Sequence, residues 1–131
     1  MKVSSLKISL LPGRYSVCRL APDAAVPAIA QEGAFFSVTR TADELSIVCA
    51  EAFAPDGARC EWGWRVLRLE GPFAFDQVGV LLAVLAPLAA AGVSIFALST
   101  FDTDTILVKE SALAQACAAL EGAGHALAIL Q

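Results

Sequence analysis

The sequence has few basic residues and no cluster of them. It contains 9 Lys and Arg against 13 Asp and Glu, which gives a net charge of −4 at pH 7. A protein that follows a nucleic acid along its phosphates needs a basic surface, so no nucleic-acid partner is expected. The four cysteines form no CxxC pair, and the single histidine, His125, has no neighbour at metal-ligand spacing and is expected to point to solvent. Neither a metal site nor a cofactor is expected.

Features of export and membrane insertion are also missing. Residues 1–11 carry Lys2 and Lys7 and lack the apolar core and cleavage site of a signal peptide, so a cytoplasmic location with free thiols is expected. Residues 78–101 contain no charge and are long enough to span a bilayer. Pro87 and Gly92 interrupt this segment, and polar residues alternate with apolar ones after Gly92. It is therefore predicted to form a helix and then a strand, with no membrane span.

The second half of the chain has a clear order of predicted elements. Residues 64–70 alternate as a strand, and Gly71-Pro72 breaks it. Asp76 is placed to cap a helix over residues 78–88, which Gly92 ends, and Ser111 to cap a second helix that ends near Gly122. Further strands are predicted over residues 93–100, 105–109 and 126–130. This βαββαβ order is that of a ferredoxin-like module.

The first half repeats this pattern weakly at an offset of about 60 residues. Its predicted elements are a strand over residues 2–11, a short helix over 23–31, a hairpin over 35–41 and 45–50, and a loop over 51–63. The predicted fold is thus α+β, with two tandem ferredoxin-like (βαββαβ) modules. Residues 1–60 form the first, which is truncated because its second helix is missing, and residues 61–131 form the second.

Two runs carry a resemblance to a known family. GPFAFDQVGV at residues 71–80 and LAAAGVSIFALSTFDTDTILVKE at residues 88–110 resemble the ACT-domain proteins, including the CASTOR-type arginine sensors and aspartate kinase regulatory domains. The resemblance implies a regulatory protein that binds a free amino acid between modules. No convergent set of acid, base and nucleophile is visible in the sequence, so no catalytic residue is expected. The resemblance places the ligand's amino-acid end at Asp76, Gln77, Gly79 and Val80, and its side chain at Thr100, Phe101 and Asp104. Gln77 departs from the acidic residue of the arginine sensors, so arginine itself is not implied.

Several alternatives remain open from the residues alone. Asp76 is equally suited to cap its own helix, and Asp102 and Asp104 are typical turn residues. A protein–protein interaction module without a ligand is the alternative function, and a small enzyme on a ferredoxin-like scaffold is a third. Because 57% of the residues are hydrophobic and short sheets leave open edges, a homodimer is also expected.

Overall fold

The computed structural model describes residues 5–73 and 79–131. The described strands are β1 (Lys7–Leu10), β2 (Tyr15–Leu20), β3 (Ser37–Arg40), β4 (Leu45–Ala50), β5 (Arg59–Leu69), β6 (Ile95–Ser99), β7 (Asp104–Lys109) and β8 (Ala126–Ile129). The described helices are α1 (Val80–Ala90) and α2 (Leu113–Gly122), with 3-10 turns at Ala28–Gln31, Glu51–Phe53 and Glu110–Ala112. The chain forms two compact units, Met1–Pro12 with Arg65–Gln131, and Gly13–Trp64.

In the larger unit the N-terminal strand lies between two strands of the second half. β1 pairs antiparallel with β5 and parallel with β8, so that Ile8 lies opposite both Leu69 and Leu127. β5 also pairs with β7, and β7 with β6, which gives the order β6-β7-β5-β1-β8. The order βαββαβ from β5 to β8 is the predicted one, and the α+β, ferredoxin-like fold class is confirmed.

The core of this unit lies between the sheet and its two helices. Alternate residues of β1, β5 and β7 point toward the helices, since side chains along a strand alternate between its faces. Val84 and Leu88 of α1 and Ala116 and Leu120 of α2 are fully buried against them. The buried residues of α1 are Val80, Val84 and Leu88, which follow one another at intervals of four residues and so share one face of the helix.

The smaller unit is a four-stranded antiparallel sheet in the order β3-β4-β2-β5, to which β5 contributes its first residues. The order matches that of the larger unit if β1 is left out, because β3, β4, β2 and β5 then correspond to β6, β7, β5 and β8. Its buried cluster comprises Cys18, Ala30, Leu45, Ile47 and Cys49. This unit has no α-helix among its described residues: Ala28–Gln31, in the segment where one was expected, and Glu51–Phe53, in the segment where none was expected, form 3-10 turns.

The structure corrects four expectations in the first half. β2 was not predicted, because both faces of Tyr15–Leu20 contain buried residues and the alternation is lost. The helix over residues 23–31 is wrong, since Pro27 disfavours helical geometry before it and only a 3-10 turn follows. The loop over residues 51–63 ends at Arg59, where β5 begins. Residues 1–12 belong with residues 65–131, whereas the expected division placed them in the first module.

The capping residue of the last helix also differs from the prediction. The N-cap of α2 is Ala112, and Ser111 lies in the preceding 3-10 turn without capping the helix.

His125 is 6% exposed, so its expected solvent orientation is wrong. The backbone N–H of Leu6 donates to Nδ1 of His125 at 3.1 Å, which leaves Nε2 as the protonated nitrogen. Nε2 in turn donates to the carbonyl oxygen of Ala83 at 2.8 Å. That carbonyl would normally accept from the residue four positions on, but this is Pro87, which has no N–H. His125 therefore supplies the hydrogen bond that proline removes from α1.

We expect His125→Ala to lower the free energy of unfolding by about 2–3 kcal/mol, because it leaves two buried backbone groups without partners. In a Pro87→Ala background residue 87 regains an N–H for Ala83, and the cost of His125→Ala should fall by about 1 kcal/mol. Urea unfolding of the four proteins measures this coupling. Strictly additive effects of the two substitutions would contradict the assigned role of His125.

Candidate ligand-binding site

The loop after β5 lies against the turn that joins β6 to β7. The backbone N–H of Phe73 donates to the carbonyl oxygen of Asp102 at 2.8 Å. The hydroxyl of Thr103 donates to the carbonyl oxygen of Leu69 at 2.7 Å. The end of β5 and the loop after it are therefore in direct contact with the β6–β7 hairpin.

Gly71 permits this close approach. A Cβ atom at this position would lie 2.8 Å from the carbonyl oxygen of Asp102 and 3.1 Å from Cβ of Thr103. The first distance is shorter than real Cβ contacts, and the obstructing atom belongs to the backbone. The peptide bond that follows, between Gly71 and Pro72, is cis. Any larger residue at position 71 would push the loop away from the hairpin.

The hairpin residues predicted for the site lie at its tip. Thr100 closes the turn, because its N–H donates to the carbonyl oxygen of Thr103 at 2.8 Å and its hydroxyl donates to the same oxygen at 3.1 Å. The Asp104 carboxylate accepts from the hydroxyl of Ser99 at 2.6 Å. Phe101 is 78% exposed. These hydrogen bonds agree with the turn predicted for this segment. The Asp104 carboxylate can still accept a hydrogen bond from a further donor.

At the start of α1 the structure describes two of the four predicted residues. Gly79 is the N-cap with φ of 87°, a left-handed conformation that suits glycine, and it has no side chain with which to cap the helix. Val80 is 6% exposed and belongs to the core, so only its backbone is suited to contact a ligand. Asp76 and Gln77 lie outside the described residues.

A shallow cavity of about 480 Å³ adjoins Gly71 on the larger unit. Lys7, Ser9 and Glu70 line it together with Gly71 and residues 126–128 of β8. The hydroxyl of Ser9 donates to Oε1 of Glu70, which fixes that carboxylate at the cavity wall. Sequence reasoning missed this cavity because β1 had been placed in the other module. No group of three or more metal-ligating side chains occurs in residues 5–73 and 79–131.

Comparison with known proteins agrees with this architecture. A family model described as an ACT domain matches residues 59–122, and a second, described as an N-terminal domain, matches residues 13–57. A protein of known crystal structure from Agobacterium tumefaciens is 42% identical, with a TM-score of 0.92 over 98% of this chain and 96% of that one. Residues 59–122 therefore resemble the ACT-domain family. The resemblance noted in the sequence is thereby confirmed.

Two further comparisons concern one part of the chain and its fold. The human protein named cytosolic arginine sensor for mTORC1 subunit 1 is 36% identical over 69 residues, 52% of this chain and 18% of the sensor. The match thus spans less than a fifth of the length of that relative. The regulatory subunit of aspartate kinase from Thermus thermophilus has a TM-score of 0.62 at 12% identity over 89% of this chain and 96% of that one, which shows a shared fold.

The uncharged segment around α1 and β6 forms a helix and a strand, as predicted. Within the described ranges, no helix of the protein has both the length and the apolar character needed to cross a membrane.

We expect Gly71→Ala to destabilise the protein by about 1–3 kcal/mol, because the added methyl group must displace backbone at Asp102. Gly122→Ala is the matched control, since a Cβ atom at Gly122 meets nothing within 4 Å and the residue lies in α2. The melting temperatures of both variants are compared with that of the unsubstituted protein by thermal unfolding. Equal melting temperatures for Gly71→Ala and the unsubstituted protein would show that the loop does not depend on this contact.

Proposed function

We propose that this protein is a regulatory or sensor protein that binds a free amino acid, or a similar small zwitterion, where the β5–α1 loop meets the β6–β7 hairpin. The observation that carries the proposal is the cavity beside Gly71. Its lining includes a basic residue, Lys7, and an acidic residue, Glu70. Opposite charges on one small cavity match the two charges of an amino acid.

The hairpin provides the second part of the proposed site. The Asp104 carboxylate, held by Ser99, would face an amino group or a basic side chain of the ligand. Thr100 and Phe101 would border the ligand's side chain. On the helical side, the backbone N–H groups near Gly79 and Val80 would favour a carboxylate through the positive end of the α1 dipole. Asp76 and Gln77 join the proposed site on the family resemblance alone.

The relatives support the same role. The human relative is named a cytosolic arginine sensor, and the Thermus protein is named the regulatory subunit of aspartate kinase. One name describes a sensor of an amino acid and the other a regulatory subunit, and neither name describes a catalytic domain. We therefore propose a cytoplasmic, non-enzymatic protein that needs no cofactor, and we leave the identity of the amino acid to experiment.

A thermal-shift screen with the twenty amino acids tests the proposal. A ligand at 100 times its dissociation constant stabilises a protein by about 2.7 kcal/mol, which raises the melting temperature by several degrees. We expect Lys7→Gln and Asp104→Asn each to abolish most of that shift, because each removes one charge from the proposed site. Isothermal titration then gives the affinity of each variant.

Two controls separate ligand binding from hairpin stability. Ser99→Ala removes the hydrogen bond to Asp104 and retains the charge, so it should keep the ligand shift. Asp43→Asn changes an exposed aspartate in the β3–β4 turn of the other unit and should leave the ligand shift intact. If none of the twenty amino acids raises the melting temperature, the sensor proposal fails and an interaction module is favoured.

A second proposal, self-association, rests on α1. This helix, VLLAVLAPLAA, contains no charged or polar side chain, and Leu82 on its outer side is 66% exposed. A helix that is apolar on all sides is normally covered. We propose that a second copy of the chain covers it, because the outer positions Ala86, Ala89 and Ala90 are small and allow close approach of an identical helix.

We expect the unsubstituted protein to have the mass of a homodimer by light scattering at tens of micromolar. Leu82→Glu should convert it to a monomer, because the charge would be buried between the two helices. Ile129→Glu, a similar change at a 72% exposed residue of β8, should leave the dimer intact. A monomeric unsubstituted protein would contradict the proposal, and a monomeric Ile129→Glu variant would move the interface to the β8 edge.

A further inference from the structure

Three of the four thiols lie together in the smaller unit, whereas the proposed ligand site belongs to the larger unit. Cys18 of β2 and Cys60 of β5 are directly opposite each other in an antiparallel pair. Their sulfur atoms are 2.9 Å apart. The hydroxyl of Ser16 lies 3.4 Å from the sulfur of Cys18 and 3.6 Å from that of Cys49. All four cysteines of the chain are free thiols.

The geometry of Cys18 and Cys60 is close to that of a disulfide. Directly paired residues on neighbouring strands point to the same face, and their Cα atoms lie about 4.5–5.5 Å apart, inside the range that a disulfide requires. The sulfur atoms need to approach by about 0.9 Å to reach the bonded distance. Cys49 is placed differently, because its direct partner on β2 is Ser16 and it lies diagonal to Cys18.

The two sulfur atoms differ in access to solvent. Cys60 is partly exposed, whereas Cys18 is 1% exposed. Burial, together with the hydrogen bond from Cys60, raises the pKa of Cys18 to about 11. Only a small fraction of Cys18 is therefore thiolate near neutral pH. Because Cys60 is also the more exposed of the two, we expect an external reagent to react with Cys60 first. Cys18 is then held beside whatever bond Cys60 has formed.

We propose that Cys18 and Cys60 form a reversible two-electron redox site, oxidised to a cross-strand disulfide by small-molecule disulfides. The Cys60 thiolate attacks one sulfur of the reagent, whose S–S bond breaks and releases one thiolate. Cys18 then loses its proton to solvent and attacks the Cys60 sulfur, which releases the second thiolate. The protein loses two thiol hydrogens, and the reagent is reduced to two thiols.

The disulfide would join β2 to the first part of β5 and constrain the chain between them. Disulfides in a reducing cytoplasm are usually transient and redox-sensing. Buried thiols also serve simply as small apolar side chains, and Cys49, fully buried, fits that description. The direct cross-strand pairing and unequal exposure of Cys18 and Cys60 distinguish this pair from Cys49.

The test treats the reduced, folded protein with excess oxidised glutathione. We expect two of the four thiols to disappear, an intact mass lower by two hydrogen atoms, and a cross-linked peptide that joins residues 18 and 60. The melting temperature should rise by about 10 °C and return to its reduced value with dithiothreitol. Cys18→Ser should instead stop at a stable glutathione adduct on Cys60, since the second thiol is missing.

Cys49→Ser and Cys117→Ser are the matched controls, and both should still form the disulfide. Cys60→Ser should keep its three thiols over the same period. A glutathione adduct that persists on Cys60 of the unsubstituted protein, a cross-link through Cys49, or four unreacted thiols would each overturn the proposal. None of these outcomes depends on amino-acid binding. The redox proposal can therefore be wrong while the sensor proposal is right, and the reverse.

Discussion

The insertion of β1 between β5 and β8 is the constraint on which the larger unit depends. β8 pairs with β1 in the described structure, so the last strand is attached to the sheet through the first one. Lys7–Leu10 supplies hydrogen bonds to both neighbours and places Ile8 and Leu10 in the core. His125 strengthens the same arrangement, because it connects the backbone of Leu6 to that of Ala83 in α1. One buried imidazole thus joins the N-terminal segment, the last loop and the first helix.

The cavity is a consequence of this insertion. Lys7 and Ser9 face away from the helices on the inserted strand, and Glu70 and Gly71 follow the end of the neighbouring strand. Without β1 none of these side chains would share a wall with β8. The same end of β5 leads into the loop that packs on the hairpin, where Gly71 allows backbone to approach backbone. Gly71 therefore belongs both to the wall of the cavity and to the close contact between the loop and the hairpin.

Much of the larger unit is predictable from sequence because its signals are local. Gly92, with φ of 74°, ends α1 as predicted, and the alternating residues of β6 and β7 flank a turn rich in Asp and Thr. The repeat offset also locates the hairpin of β3 and β4. Local signals did not reveal β2, and they could not show which strands pair. The position of β1 rests on contacts with residues more than fifty positions away, and no periodicity in a short strand encodes its neighbours.

The proposed site shows the same division. Thr100, Phe101 and Asp104 were named through the family resemblance, whereas Lys7, Ser9 and Glu70 come together only through the pairing of β1. His125 was misjudged for a related reason, since its polarity and the glycine before it suggested a surface loop. Its buried role is explained by Pro87, which is 38 positions away in sequence and leaves Ala83 without a helical donor.

Helix α1 connects the two functional proposals. Its N-cap, Gly79, lies at the proposed ligand site, and Leu82, three residues later, lies on the proposed dimer surface. Residues three apart in a helix are neighbours within one turn, so a change in the position of the first turn moves both. If ligand binding and association both depend on that turn, thermodynamic linkage requires each to alter the affinity of the other by the same factor. An amino-acid titration of the dimer dissociation constant would then report the coupling directly, and a dissociation constant independent of ligand would show that α1 serves the two surfaces without connecting them.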